Sequence, residues 1–220
     1  MLVYNLNLKK GVKNMTVVSV REVTPHIGKE KLVEGRLRRA ETIIAKHGAQ
    51  TRMYKTVVGQ GVGDFILMSM YESFSKATKS FQSFSADPDM AVLTEERSAS
   101  PSADIKGPNV YRMSYGVPSN PPRPIMAQRM YHMPRKNLAS ALELAPELDE
   151  LMKSQDVSIG VAVPIATDDH EMMVVVYRFN SMDHYGEALD AMVENKEMAA
   201  IIEKANTFGA IKSSRVIVQI

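Results

Sequence analysis

Apolar residues recur along this chain in two periods. In DFILMSM (64–70), Ile66, Met68 and Met70 alternate with Phe65 and Leu67, and Tyr71 follows. In MMVVVYR (172–178), Val174 and Val176 alternate with Met173, Val175 and Tyr177, and Phe179 follows. Both faces of these extended runs are apolar, so both must be covered. The other period is helical: Leu32, Ala40, Ile43 and Ile44 predict a helix over 29–47 that stops at Gly48. The same reasoning predicts strands near 16–23, 50–58, 64–72 and 109–116, then near 125–132, 157–165, 171–179 and 213–220. Ser73 is a natural cap for a second helix, which Asp87-Pro88 breaks and restarts. A helix over 136–154 carries Pro146, which kinks it or opens a new first turn.

The two halves of this pattern match. Shifted by 108 residues, 64–97 lies over 172–205 without a gap. Tyr71-Glu72-Ser73 then faces Phe179-Asn180-Ser181, and Phe81, Phe84, Met90 and Leu93 fall on Leu189, Met192, Met198 and Ile201. The same shift sets 17–23 over 125–131, with Arg21 on Arg129, and 109–112 over 217–220. Each half reads β-α-β-β-α-β, the split ferredoxin-like unit. The expected organisation is an extension at 1–14, a first repeat at 15–117, a Pro-rich linker at 118–124 (PSNPPRP) and a second repeat at 125–220. A four-stranded sheet with both helices on one face leaves the other face bare, and two copies in one chain cover each other. The expected fold class is therefore α+β: two tandem repeats whose antiparallel sheets pack face to face as an intramolecular barrel.

Composition narrows the function classes. The chain of 220 residues is 45% hydrophobic and 24% charged, without Cys or Trp. Disulfides, thiolate nucleophiles and Cys-ligated zinc are excluded. Apolar runs are far shorter than the roughly 20 residues of a membrane span, and no signal-peptide pattern opens the sequence, so a cytoplasmic protein is expected. Net charge is +2, but residues 1–60 carry 12 Lys/Arg against 4 Asp/Glu, and 136–220 carry 7 against 14. No aromatic-interleaved basic stripe accompanies the basic half, so no nucleic-acid partner is expected.

The aromatic-x-Ser junctions at Tyr71 and Phe179, with the breaks Asp87-Pro88-Asp89-Met90 and Asn195-Lys196-Glu197-Met198, resemble those of the dimeric α+β barrel superfamily. Its members include cofactor-independent monooxygenases, polyketide cyclases, isomerases and haem enzymes. The pattern is similar to that of antibiotic-biosynthesis-monooxygenase-like and NIPSNAP-like proteins. Such monooxygenases have Trp where this chain has Tyr71 and Phe179, and a Tyr six residues later, matched by Tyr185 and replaced by Ala77. Their Asn four residues before the Trp is Leu67 or Val175 here. The resemblance implies an apolar cavity with a phenol in its wall.

If Tyr71 and Phe179 face a cavity between the sheets, regular strands add Ser19, Arg21, Ser69 and Tyr111 from the first half. The second half adds Arg129, Tyr131, Tyr177, Arg215 and Gln219. The expected ligand-binding set is Arg21, Tyr71, Arg129, Tyr131, Tyr177 and Phe179, suited to a planar or anionic organic compound. The competing reading is that these polar groups satisfy one another across a packed seam. Catalytic candidates are Tyr185, His184 and His132; His26 and His47 read as a loop residue and a helix-end cation. Asp168-Asp169-His170-Glu171 reads as a hairpin turn, since consecutive residues diverge, and no metal or other cofactor is expected. Gly59-Gln60-Gly61-Val62-Gly63 joins two strands and reads as a hairpin too. Most of the 16 Met residues fall at core positions.

Two functions follow from this reading. One is a small-molecule-binding barrel, a cofactor-independent monooxygenase or cyclase/isomerase acting on an aromatic or polyketide-like compound. The other is a non-catalytic, oligomerising or stress-associated barrel with a packed interior. A homo-oligomer fits either.

Overall fold

The computed structural model describes residues 16–118 and 121–220, so the expected extension at 1–14, Met15 and two linker residues lie outside it. The first half runs β1 (Val17–Pro25), α1 (Glu30–Lys46), β2 (Gln50–Gly59), β3 (Phe65–Tyr71), α2 (Phe74–Ser85), α3 (Pro88–Ala99) and β4 (Ala103–Tyr115). The second runs β5 (Ile125–His132), a 3₁₀ turn, α4 (Leu138–Leu142), α5 (Ala145–Lys153), β6 (Ser158–Ala166), β7 (Met172–Phe179), α6 (Met182–Val193), α7 (Lys196–Asn206) and β8 (Ala210–Gln219). The strands close into one barrel in the order β1-β3-β2-β8-β5-β7-β6-β4. Every neighbouring pair is antiparallel. Within each half the order is fourth, first, third, second strand, as in the ferredoxin-like unit. The halves meet at two seams, β2–β8 and β4–β6.

Helices cover the outside of the barrel, which divides the core into three. Val33, Leu37, Ile43 and Ile44 of α1 pack on Phe65 and Leu67. Tyr177 and Phe179 pack beneath Met192, Met198 and Ile201 of α6 and α7. Val18, Val20, Ile66, Met68, Met70, Met126 and Val176 cluster on the inner faces of the barrel. Burying a side chain of this size stabilises by about 1.5–3 kcal/mol. Strand β3 is buried at all seven positions, as its two apolar faces require.

Local chemistry sets the helix starts. Ser73 Oγ accepts from Lys76 N and Ser181 Oγ from His184 N, capping α2 and α6. Asp87 caps α3 ahead of Pro88, and Asn195 caps α7. Two local expectations are corrected, the face that Leu32 takes and the start of β4. Leu32 is 39% exposed, and Val33 and Leu37 take the buried face of α1 instead. Phe81 is 51% exposed, lying edge-on to buried Phe84. The stretch 136–154 is divided as Pro146 requires: it lacks the N–H an uninterrupted helix needs and sits in the first turn of α5. Strand β4 begins at Ala103, not near 109, because a register shift opposite Val20 and Glu22 lets the ladder pass the Gly107-Pro108 step.

One carboxylate ties the first helix to the third. Asp87 is almost fully buried; its Oδ1 accepts from Asp89 N, and its Oδ2 lies 2.7 Å from His47 Nε2 and 3.0 Å from Lys46 Nζ. These contacts with His47, Lys46 and the backbone hold its pKa at about 2, below the ordinary 3.8. A lowered folded-state pKa contributes stability that is present above the unfolded value and lost as pH falls through the folded one. Thermal melts should therefore show wild-type protein losing stability between about pH 4 and pH 2. Asp87→Asn should start lower at neutral pH and lose less across that window; an unchanged acid profile would refute this role.

Candidate functional site

Alternation along each strand decides which side chains meet. On β7, Val174, Val176 and Arg178 point into the barrel, while Val175, Tyr177 and Phe179 point to the helices. On β5, Met126, Gln128 and Met130 line the interior, and Arg129 and Tyr131 lie beneath the helices. The expected placement of Arg21, Tyr71, Arg129, Tyr131, Tyr177 and Phe179 between the sheets is thus corrected: all six face the helix layer. The ladders show a one-residue slip, since Tyr111 pairs with Val18 and not Ser19, and Arg215 with Gln128 and not Arg129. Tyr111 and Arg215 do line the interior.

The slip leaves much of the expected cluster intact in a new place. Arg129, Tyr177, Phe179 and Tyr185 line one cavity of about 300 Å³ between the second-half sheet and α6–α7. Its remaining walls include Met152, Ala188, Met192 and Met198, none of them singled out in the sequence as ligand-facing. Tyr131 lines a smaller neighbouring cavity that shares Tyr177. Arg21 lies in the first half's helix layer, 5.7 Å from the Phe84 ring, in a separate cavity of about 470 Å³. Tyr71 is buried on that side, on the face of Phe65 and Leu67.

Arg129 gives the second-half cavity its chemistry. Its guanidinium stands 5.1 Å from the centre of the Tyr177 ring, a cation–π contact. Among the described residues it has no carboxylate partner. Burial opposes its charge, but the phenols of Tyr177, Tyr131 and Tyr185 outweigh that and raise its pKa. Burial pushes the Tyr177 phenol up to about 12, with Arg129 pulling the other way, so it is a neutral hydrogen-bond donor at pH 7. Tyr185 packs edge-on against Phe179, ring centres 5.1 Å apart. Among the described residues, no histidine or carboxylate lines this cavity. An apolar, aromatic-walled pocket with one unneutralised guanidinium stabilises an oxyanion on a planar ring more strongly than water does.

The two histidine candidates lie elsewhere. His132 is half exposed, 3.7 Å from Glu171. His184 accepts from Asn180 N at Nδ1, so Nε2 carries the hydrogen and donates to Gln155 O at 2.7 Å. It also braces the Phe179 ring edge-on.

The architecture is a closed eight-stranded antiparallel α+β barrel with ferredoxin-like strand order. No family model matches the sequence, and no curated protein matches it. Solved structures do. A candidate monooxygenase from Fusobacterium nucleatum is 9% identical, with a TM-score of 0.61 over 94% of this chain and 95% of that one. An anthrone oxidase-like protein is 10% identical, with a TM-score of 0.64 over 94% and 92%. A candidate chlorite dismutase is 12% identical, with a TM-score of 0.55 over 93% and 94%. At these identities the likeness shows the fold alone.

The fold also occurs in a haem-binding protein from Thermus thermophilus (TM-score 0.51), but this cavity's donors do not fit haem. Haem iron takes histidine, thiolate or tyrosine ligands, or methionine opposite a histidine. The cavity offers no histidine, the chain has no cysteine, and its tyrosines pack against Arg129 and Phe179.

His184 is therefore a structural clamp. Removing its two backbone hydrogen bonds, each about 1 kcal/mol net, should lower the melting temperature of His184→Ala by about 4–8 °C. Ligand binding in the cavity should persist. A variant that melts like wild type but loses binding would restore a direct role for His184.

Proposed function

We propose that the chain is a cytoplasmic small-molecule-binding protein, a cofactor-independent monooxygenase that takes a planar, hydroxylated polyketide-like compound beneath α6 and α7. The carrying observation is the Arg129 guanidinium, set among three phenols in an apolar cavity and facing no carboxylate. The likeness to monooxygenase-like and anthrone oxidase-like structures supports the class of chemistry without specifying it. The same reading takes 15–117 and 125–220 as two copies of one unit, joined through 118–124.

The chemistry follows from where charge develops. A hydroxyanthrone loses a proton from its ring CH₂ to give an enolate, whose oxygen Arg129 pairs with. The electron-rich ring then reacts with O₂; the CH₂ becomes a carbonyl, and one water leaves per O₂ consumed. Lowering the enolate's energy makes the proton more acidic, so water suffices as acceptor where the cavity supplies no base. Tyr177 donates to the same oxygen, while Phe179 and Tyr185 hold the ring plane and exclude water. The absence of a lining base favours a second reading, a carrier that binds such a compound without turning it over.

Dithranol, a hydroxylated anthrone, is the probe. Arg129→Ala should weaken its binding about 10- to 150-fold, the loss of one charge-assisted hydrogen bond of about 1.5–3 kcal/mol, with little change in melting temperature. Oxygen uptake above the buffer rate marks a monooxygenase, and binding without uptake marks the carrier. If Arg129→Ala and Tyr177→Phe both unfold the protein, or both bind dithranol as wild type does, these residues are core and the proposal fails.

A further inference from the structure

The barrel interior holds a second kind of cavity, of about 350 Å³, lined by both sheets. That is within the range of small-molecule sites. Six methionines line it, Met68, Met70, Met113, Met126, Met130 and Met172, beside valines such as Val18, Val20 and Val176. Unbranched thioether side chains adapt to an apolar guest. Met68, Met70 and Met126 are core residues, as expected, and they also form part of this cavity's wall.

Into this space β7 sends Arg178. The residue is 3% exposed, and its Nε and Nη1 have no hydrogen-bond partner among the described residues. Across the ladder, Ser158 Oγ is buried without a partner as well. Arg52, also buried, lines the same cavity, so its wall carries a second buried guanidinium group. Room for Arg178 is built in: a Cβ on Gly160 would come within 2.9 Å of its Nη2. Burial pushes the pKa of Arg178 down to about 10, which still leaves it charged at neutral pH. A buried charge without a partner is costly, and native proteins pair such groups.

Two further features identify the pairing group. A guanidinium fork matches a carboxylate in a bidentate geometry. The rim is acidic: Asp168 and Asp169 are exposed along it, and Glu22 is held by Arg215 at 2.6 Å. An acidic rim disfavours multiply charged anions such as phosphates. We propose that the barrel interior binds a monocarboxylic acid with an apolar body, its carboxylate on Arg178 and its body against the methionines. This site is separate from the cavity beneath α6 and α7 and does not depend on the reading of that cavity.

Decanoate, decanol and decyl phosphate are suitable probes for calorimetry on the full chain. Decanoate should bind at least tenfold more tightly than decanol, and more tightly than decyl phosphate. In protein labelled at methionine methyl groups, the NMR signals of Met68, Met126 and Met172 should move on adding decanoate, while those of Met192 and Met198 stay. Arg178→Met should erase the tenfold preference for the acid. Its unliganded melting temperature should not fall, since replacing an unpaired buried charge by an apolar group of similar size removes a cost. Should that variant fail to fold, the wild-type comparison and the methionine signals still decide. Equal affinity for decanoate and decanol, tighter binding of decyl phosphate, or shifts confined to Met192 and Met198 would each overturn the proposal.

Discussion

Closing eight strands into one barrel obliges most of them to be buried on two faces, and the rest of the molecule is arranged around that demand. Helices satisfy the outer face of each sheet; only the opposite sheet satisfies the inner one. The halves join at two seams, β2–β8 and β4–β6. Register shifts occur there, between Thr56 and Val58 on β2 and twice along β4. Gly59 ends the strand at the first seam and Gly116 follows the strand at the second, at φ of +84° and +64°. A Cβ at either would run into the carbonyl of Ser214 or of Ile159 across the seam. Closure at these two points thus depends on residues with no side chain.

The same two-sided burial explains what the sequence could and could not reveal. Strand and helix identities were legible, because Ser73, Asp87 and Ser181 are strong cap residues and the apolar runs between them are too short for buried helices. Elements of the second half follow the first at the 108-residue interval seen in the sequence; α2 opens at Phe74 and α6 at Met182. Strand parity was not legible. In MMVVVYRF, valine lies on both faces, so nothing in the alternation tells the barrel side from the helix side. The one discriminating residue was Arg178, a cation inside an apolar strand, and its significance depends on which face it takes. The structure gives Arg178 the barrel face and Tyr177 the helix face, the reverse of the parity expected from the sequence. The grouping of Arg129, Tyr177, Phe179 and Tyr185 survived, because a whole-strand inversion moves residues of one face together.

The outer and inner cavities use arginine under opposite conditions. Arg129 is half-buried among phenols, whose π faces and hydroxyl groups favour its charge without neutralising it. Arg178 is buried deeper and touches no such group except across the cavity, where Tyr54 favours its charge and Arg52 opposes it.

The ladders also show why the inner site needs two unlike halves. Gln50, which opens β2, pairs with Met70, and Ser158, which opens β6, pairs with Arg178. Two residues further, Arg52 pairs with Met68, while Gly160 pairs with Val176. At equivalent ladder positions, then, the first half has arginine and methionine where the second has glycine and arginine. The glycine of one half clears the space that its own Arg178 fills, and the first half places its guanidinium where that glycine stands. A symmetric pair of first halves would hold two copies of Arg52 and no cleared position. A symmetric pair of second halves would hold two copies of Arg178 facing across one lumen. Joining unlike halves brings Arg52 and Arg178 near one another on a wall that Met68, Met70 and Met126 share, which gives an amphipathic acid both a cationic and an apolar surface.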